Sequence, residues 1–153
     1  MPSKTTWMLT ALVGLAATPA LAADFEGGQW RHETKLVSAE VPGIPQSLIK
    51  IFANRAPRLS CYKPEQSAED LLTADDGAKC DLRRLSASGG RLVFDTFCTN
   101  KRFPDGLLVA SRGSYTPTTY SISTTSTGTK NGKPVKIVTT GAGKRVAESC
   151  GKP

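Results

Sequence analysis

The chain has 153 residues, with four cysteines, one histidine, and 20 Lys and Arg against 13 Asp and Glu for a formal charge of +7. That length holds one domain and leaves no room for a second. The basic excess favours anionic partners such as lipid head groups, polyanionic glycans or nucleic acid, and it is equally the surface of many proteins that bind nothing charged.

The first residues are read as a leader. Lys4 precedes an apolar stretch from Trp7 to Ala17, and Thr18-Pro19-Ala20-Leu21-Ala22 then offers small residues at the two positions a signal peptidase reads. Thr10 and Gly14 interrupt the stretch, and it is about half of the ~20 residues a membrane-spanning helix needs. A signal peptide over 1–22 and a single exported domain over 23–153 are therefore expected, with no transmembrane span after cleavage. Lys4 is the one charged side chain before Ala23, so the exported chain keeps a formal +6. Periplasm, or the medium outside it, is the expected compartment.

Cys61, Cys80, Cys98 and Cys150 all follow the leader, and an even number of thiols in an oxidising compartment reads as disulfides. A zinc site needs closely spaced Cys or His pairs, which these long gaps do not offer. Four thiols allow three pairings, and spacing does not choose among them. The pairing of Cys61 with Cys80 and Cys98 with Cys150 is preferred, because it makes one local staple and one long clasp to the C-terminus.

Along the chain, Trp30, His32, Thr34 and Leu36 alternate with Arg31, Glu33 and Lys35, which predicts a half-buried strand over Gln29 to Val37. Val41-Pro42-Gly43-Ile44-Pro45 breaks it, and Leu48, Ile49, Ile51 and Phe52 then recur at helical spacing within Gln46 to Asn54. Arg58 to Tyr62 reads as a short strand carrying Cys61. Pro64 to Leu72 reads as a second short helix, with proline at its first turn and acids early, ended by Asp76-Gly77.

From Cys80 onward, strand-like runs alternate with turn residues. Asp81 to Ala87 and Arg91 to Thr99 flank Ser88-Gly89-Gly90, a hairpin signal because glycine tolerates the positive φ of tight turns. Further strands are expected over Leu107 to Tyr115, over the Ser- and Thr-rich Thr119 to Thr127, and, after the Asn131-Gly132 turn, over Val135 to Thr140. Gly141 to Gly143 is read as ending the last strand, before a basic tail to Cys150. The fold class is thus mainly β with two short helices: an antiparallel meander of six to seven strands, forming a strongly bent sheet or small open barrel that buries Trp30, Leu36, Phe94, Leu107 and Ile137.

Catalytic constellations are sparse. His32 is the sole imidazole and no partner motif accompanies it, so it is read as a partly buried, hydrogen-bonded structural histidine rather than a base. Glu69-Asp70 and Asp75-Asp76 are sequence neighbours, whereas acid and base groups must face one another across a cleft. No G-x-S-x-G, P-loop or dinucleotide pattern is present, and no cofactor or metal site is expected. The basic residues Arg83, Arg84, Lys101, Arg102, Lys133, Lys136, Lys144 and Arg145 lack the interleaved aromatics that nucleic acid would want, and export also makes nucleic acid an unsuitable partner.

In order, Gly28-Gln29-Trp30, Val41-Pro42-Gly43-Ile44-Pro45, Cys61-Tyr62-Lys63-Pro64-Glu65, the isolated Cys80 and Cys98, and Gly143-Lys144-Arg145-Val146 before Cys150 resemble the bacterial exported family known as domain of unknown function 3617. The resemblance covers nearly all of the chain after the leader. It implies a small, exported, cystine-bearing protein with no assigned activity or catalytic residues, and it favours the same disulfide pairing. The expected function is accordingly an uncharacterised envelope protein: a non-enzymatic binding or envelope-maintenance module for an apolar or anionic component, with lipid, anionic glycan or envelope protein as partner. The alternatives are a small hydrolase or enzyme inhibitor working through His32 or the basic tail, and a purely structural interaction protein.

Overall fold

The computed structural model describes residues 25–53, 56–64 and 78–151. Seven antiparallel strands form one sheet that curls into a half-barrel. They are β1 (Gly28–Glu40), β2 (Arg58–Tyr62), β3 (Lys79–Ser88), β4 (Arg91–Thr99), β5 (Leu107–Thr116), β6 (Thr119–Lys130) and β7 (Lys133–Ala147), with helix α1 (Gln46–Ala53) between the first two. Their spatial order is β2-β1-β7-β6-β5-β4-β3. Strands β3 to β7 are thus the expected meander, and the N-terminal strand closes onto the last one. The leader and its cleavage site, most of the helix expected at Pro64 to Leu72, and the acidic pairs near residues 69 and 75 lie outside the described residues.

The meander is set by its turns. Gly89 and Gly90 have φ of 56° and 75°, and Asn131 and Gly132 have φ of 53° and 71°. Two consecutive residues at positive φ give the two-residue turn whose twist matches that of the strands it joins. One correction concerns the end of β7, which runs through Gly141 and Gly143 to Ala147 instead of stopping at them. Both glycines remain in strand because β1 pairs with this stretch from one side and β6 from the other. Three irregularities shift the register, one of them at the start of β1, where Val146 is left unpaired between Gln29↔Ala147 and Trp30↔Arg145. Val37 is left unpaired between Leu36↔Thr139 and Ser38↔Val138, and Arg83 between Leu82↔Thr96 and Arg84↔Asp95. A bulge exchanges the faces of every residue beyond it.

With those shifts included, the register places Trp30, Leu36, Phe94, Leu107 and Ile137 on one face, the concave one. They are not buried together. Trp30 and Leu107 are 3% and 8% exposed, whereas Leu36, Phe94 and Ile137 are half-buried. One sheet supplies one layer, and among the described residues helix α1 packs against the end of β1. The middle of the concave face is polar as well. Ser111 is fully buried and hydrogen-bonds Thr124 across β5 and β6 at 2.8 Å, so its desolvated hydroxyl keeps a partner.

The cysteines form two disulfides, but not in the expected pairing. Cys80 joins Cys98, with Cα atoms 4.1 Å apart, and Cys61 joins Cys150, with Cα atoms 5.4 Å apart. The reason is topological. Cys80 and Cys98 are direct cross-strand partners in the β3–β4 hairpin, while Cys98 on β4 is separated by β5 and β6 from β7, just beyond which Cys150 lies. Cys61 sits on β2 beside β1, and β7 flanks β1 on its other side, so the chain after β7 is the near neighbour of Cys61. The wider Cys61–Cys150 loop constrains the unfolded chain more, by about 4–5 kcal/mol against about 3 kcal/mol for the hairpin staple. Non-reducing peptide mapping should recover these two pairs. In urea unfolding, Cys61→Ala/Cys150→Ala should cost about 1–2 kcal/mol more than Cys80→Ala/Cys98→Ala.

Candidate functional site

One end of the concave face is closed by a strap and a ring cluster. Residues ahead of β1 cross the sheet end: the Glu26 amide donates to the Pro117 carbonyl at 2.8 Å, the Trp30 indole N–H to the Glu26 carbonyl at 3.0 Å, and Arg145 Nε to the Gly27 carbonyl at 2.7 Å. Arg145 also pairs with the Glu26 carboxylate at 2.9 Å. This strap sets Phe25 edge-on against Trp30, Tyr62 and Tyr120, with ring centroids 5.4 to 6.4 Å apart, and tilted against Tyr115 at 5.3 Å. Edge-to-face contact is the arrangement ring quadrupoles prefer.

Within the cluster, three strands bring a polar chain together. His32 on β1 is opposite Gly143 on β7, and Gly143 is opposite Tyr120 on β6. Gly143 has no side chain, so the Tyr120 ring occupies the space a Cβ would fill and crosses β7 to reach β1. There the Tyr120 hydroxyl meets His32 Nδ1 at 2.7 Å. On the other side of the imidazole, Nε2 meets the hydroxyl of Ser60, on edge strand β2, at 2.6 Å. Trp30 stacks near both the imidazole and the Tyr120 ring, with centroids 6.5 and 6.3 Å away. Ser60 is exposed, while His32 and Tyr120 are half-buried.

The electrostatics hold this chain neutral. Burial, and then the positive charge of Arg58 opposite His32 on β2, push the imidazole below its ordinary 6.5. Burial pushes the Tyr120 phenol above its ordinary 10. At neutral pH the imidazole therefore has one N–H and one lone pair, enough to donate to one hydroxyl and accept from the other.

Residues 25–150 match the family model described as Protein of unknown function (DUF3617). The chain belongs to that family. The DUF3617 match opens at Phe25, the ring in the midst of the aromatic cluster, and closes at Cys150, the C-terminal half of the long disulfide. No curated protein and no solved structure matches the chain.

Of the residues singled out in the sequence, His32 is hydrogen-bonded on both ring nitrogens, and its partners Ser60 and Tyr120 were not picked out. The basic residues are spread over both faces of the sheet and its loops, with Arg145 beside Trp30 on the concave face and Lys101 and Arg102 in the β4–β5 loop. Arg84 lies opposite Asp95 and Lys136 opposite Glu40 on the convex face, where Arg112 pairs with Asp95 and holds that carboxyl below its ordinary range. Lys133 lies at the sheet end away from His32, on an open depression of about 490 Å³ lined by Val41, Pro42, Ile44 and Pro134. Among the described residues no group of His, Cys, Asp and Glu is placed to hold a metal ion, and no helix is long and apolar enough to cross a membrane.

Two outcomes follow from the His32 row. A Gly143→Ala side chain collides with the Tyr120 ring, so it should cost about 1–3 kcal/mol in urea unfolding and shift the His32 ring resonances in NMR as Tyr120 is displaced. Because folding lowers the His32 pKa, the unfolded chain binds the proton first on acidification. The contribution of His32 is whole above about pH 6.5 and is lost as pH falls through the lower folded value. Urea midpoints measured from about pH 7.5 down to about pH 5 should therefore fall more steeply for the native protein than for His32→Gln.

Proposed function

We propose that this DUF3617 member is an exported, periplasmic envelope protein whose concave face seats an apolar, chain-like envelope component. One observation carries the reading. Leu36, Ile137, Ile122, Val109 and Phe94 are half-buried side chains on one curved face, which the described residues leave without a second layer. Apolar area left open on a monomer marks a surface used for binding more often than scattered exposed residues do. The curl of the sheet gives that area a trough shape, and the Phe25 strap stops it at one end. Export is supported by the leader pattern and by the two disulfides, which persist in oxidising compartments.

Native mass spectrometry of the protein purified from the periplasm tests both parts. The expected mass starts at Ala23, is four hydrogens below that of the reduced chain, and carries a lipid-sized adduct. Phe94→Glu, on the concave face, should lower adduct occupancy about tenfold or more, the equivalent of withdrawing one apolar side chain from the contact. Leu108→Glu, on the convex face where Leu108 is 47% exposed, should leave it unchanged. A bare, oxidised monomer from every preparation would overturn the proposal.

A further inference from the structure

The Ser60–His32–Tyr120 chain has the connectivity of a base-activated serine. A nucleophile site needs a hydroxyl within hydrogen-bond reach of a base, and the base must itself be oriented by a third group. Here the hydroxyl is Ser60 Oγ, 2.6 Å from His32 Nε2, and the orienting group is Tyr120 Oη, 2.7 Å from Nδ1. The hydroxyl lies on an exposed edge strand, so an incoming carbonyl has access to it. Arg58, two residues before Ser60 and opposite His32 in register, brings positive charge to the same edge, the sign that a developing oxyanion requires.

We infer that Ser60 is a catalytic nucleophile for carboxylic esters bearing an apolar acyl chain, with His32 as its general base and Tyr120 as a positioning residue. Nδ1–H donates to Tyr120 Oη, which leaves the Nε2 lone pair for the serine proton. Ser60 Oγ attacks the ester carbonyl and forms a new O–C bond, while its proton passes to His32 Nε2. The ester C–O bond then breaks, and the departing alkoxide takes that proton and leaves as an alcohol. Water attacks the acyl-serine, gives its proton to Nε2, and releases a carboxylic acid as the proton returns to Ser60 Oγ. The chain-length preference rests on the concave-face reading above, since the acyl chain would lie along the trough that ends at the ring cluster; the serine chemistry does not.

The test is labelling with a fluorophosphonate, read by intact mass and peptide mapping, together with hydrolysis of p-nitrophenyl octanoate and acetate. One phosphonyl group per chain, on Ser60, is expected, and Ser60→Ala should abolish it while keeping both disulfides and the far-ultraviolet circular dichroism of the native sheet. His32→Gln should slow labelling about 100-fold, the scale of a general base. Tyr120→Phe should lower kcat for the octanoate ester about tenfold with KM unchanged, which loss of fold would not do. An unlabelled Ser60 in the oxidised, folded protein, or labelling as fast in His32→Gln as in the native chain, would overturn the inference. Binding of a pyrene-labelled fatty acid separates the two readings. Retained binding with no Ser60 adduct sinks the nucleophile alone. A His32-dependent adduct with equal acetate and octanoate rates, and no pyrene binding, upholds the serine and sinks the acyl-chain preference with the trough.

Discussion

Pairing of the first strand with the last is the constraint from which the rest of this molecule is built. β1 and β7 run antiparallel from Gln29↔Ala147 to Glu40↔Lys136, so the N-terminal strand joins a meander that is otherwise consecutive in sequence. The Tyr120 side of the polar chain depends on that join, and the Ser60 side on the opposite edge of β1. β7 offers Gly143 to the Tyr120 ring only where His32 lies beside it, and β2 can present Ser60 to His32 only because β1 has a free edge. The Cys61–Cys150 disulfide spans the same three partners, from β2 past β1 to the residues just beyond β7.

A single curled sheet has to stabilise itself with few fully buried side chains, and the described part of this one does so in two ways. Each strand of the meander is zipped to its sequence neighbour by a near-complete ladder, which satisfies backbone groups with local pairings. Side chains that would be core in a two-layer fold are replaced down the middle of the face by Ser111, Thr124, Gly113 and Gly141. Small and hydroxylated residues there leave the middle of the face unfilled, and Ile122 lies over the space that Gly141 leaves. The apolar residues on either side remain half open, which makes the face serviceable for a ligand and costly to leave uncovered.

The strands were legible because each of their signals is local: alternation at Trp30 to Leu36, a glycine pair at Gly89-Gly90, and Asn131-Gly132. Register was not. Counting back from the Gly89-Gly90 turn without a bulge sets Cys80 opposite Thr99, and only the unpaired Arg83 brings it opposite Cys98. A one-residue irregularity leaves no mark in composition, so the sequence does not show Cys80 and Cys98 as cross-strand partners, and a preference for one local staple and one long clasp points to the wrong pairs. Gly141 and Gly143 misled in a similar way, since a glycine that makes room for a neighbouring ring looks, in one dimension, like a glycine that ends a strand. His32 was legible as a hydrogen-bonded histidine, but Ser60 and Tyr120 are 28 and 88 residues away from it. The long-range join of β1 to β7 brings Tyr120 within reach and the pairing of β2 with β1 brings Ser60, and no spacing rule encodes either.

The nesting of the two disulfides has a consequence for how the chain matures. Its N-terminal half appears first, and thiols oxidised in the order of their emergence would join Cys61 to Cys80, then Cys98 to Cys150. Neither pair exists in the finished sheet. Cys61 must stay reduced until β7 arrives to offer Cys150, or a mixed disulfide must be exchanged afterwards by a thiolate attacking the wrong bond. Correct oxidation of this small sheet is thereby tied to completion of its last strand, and a cell making it in quantity would draw on disulfide isomerase activity rather than on an oxidant alone.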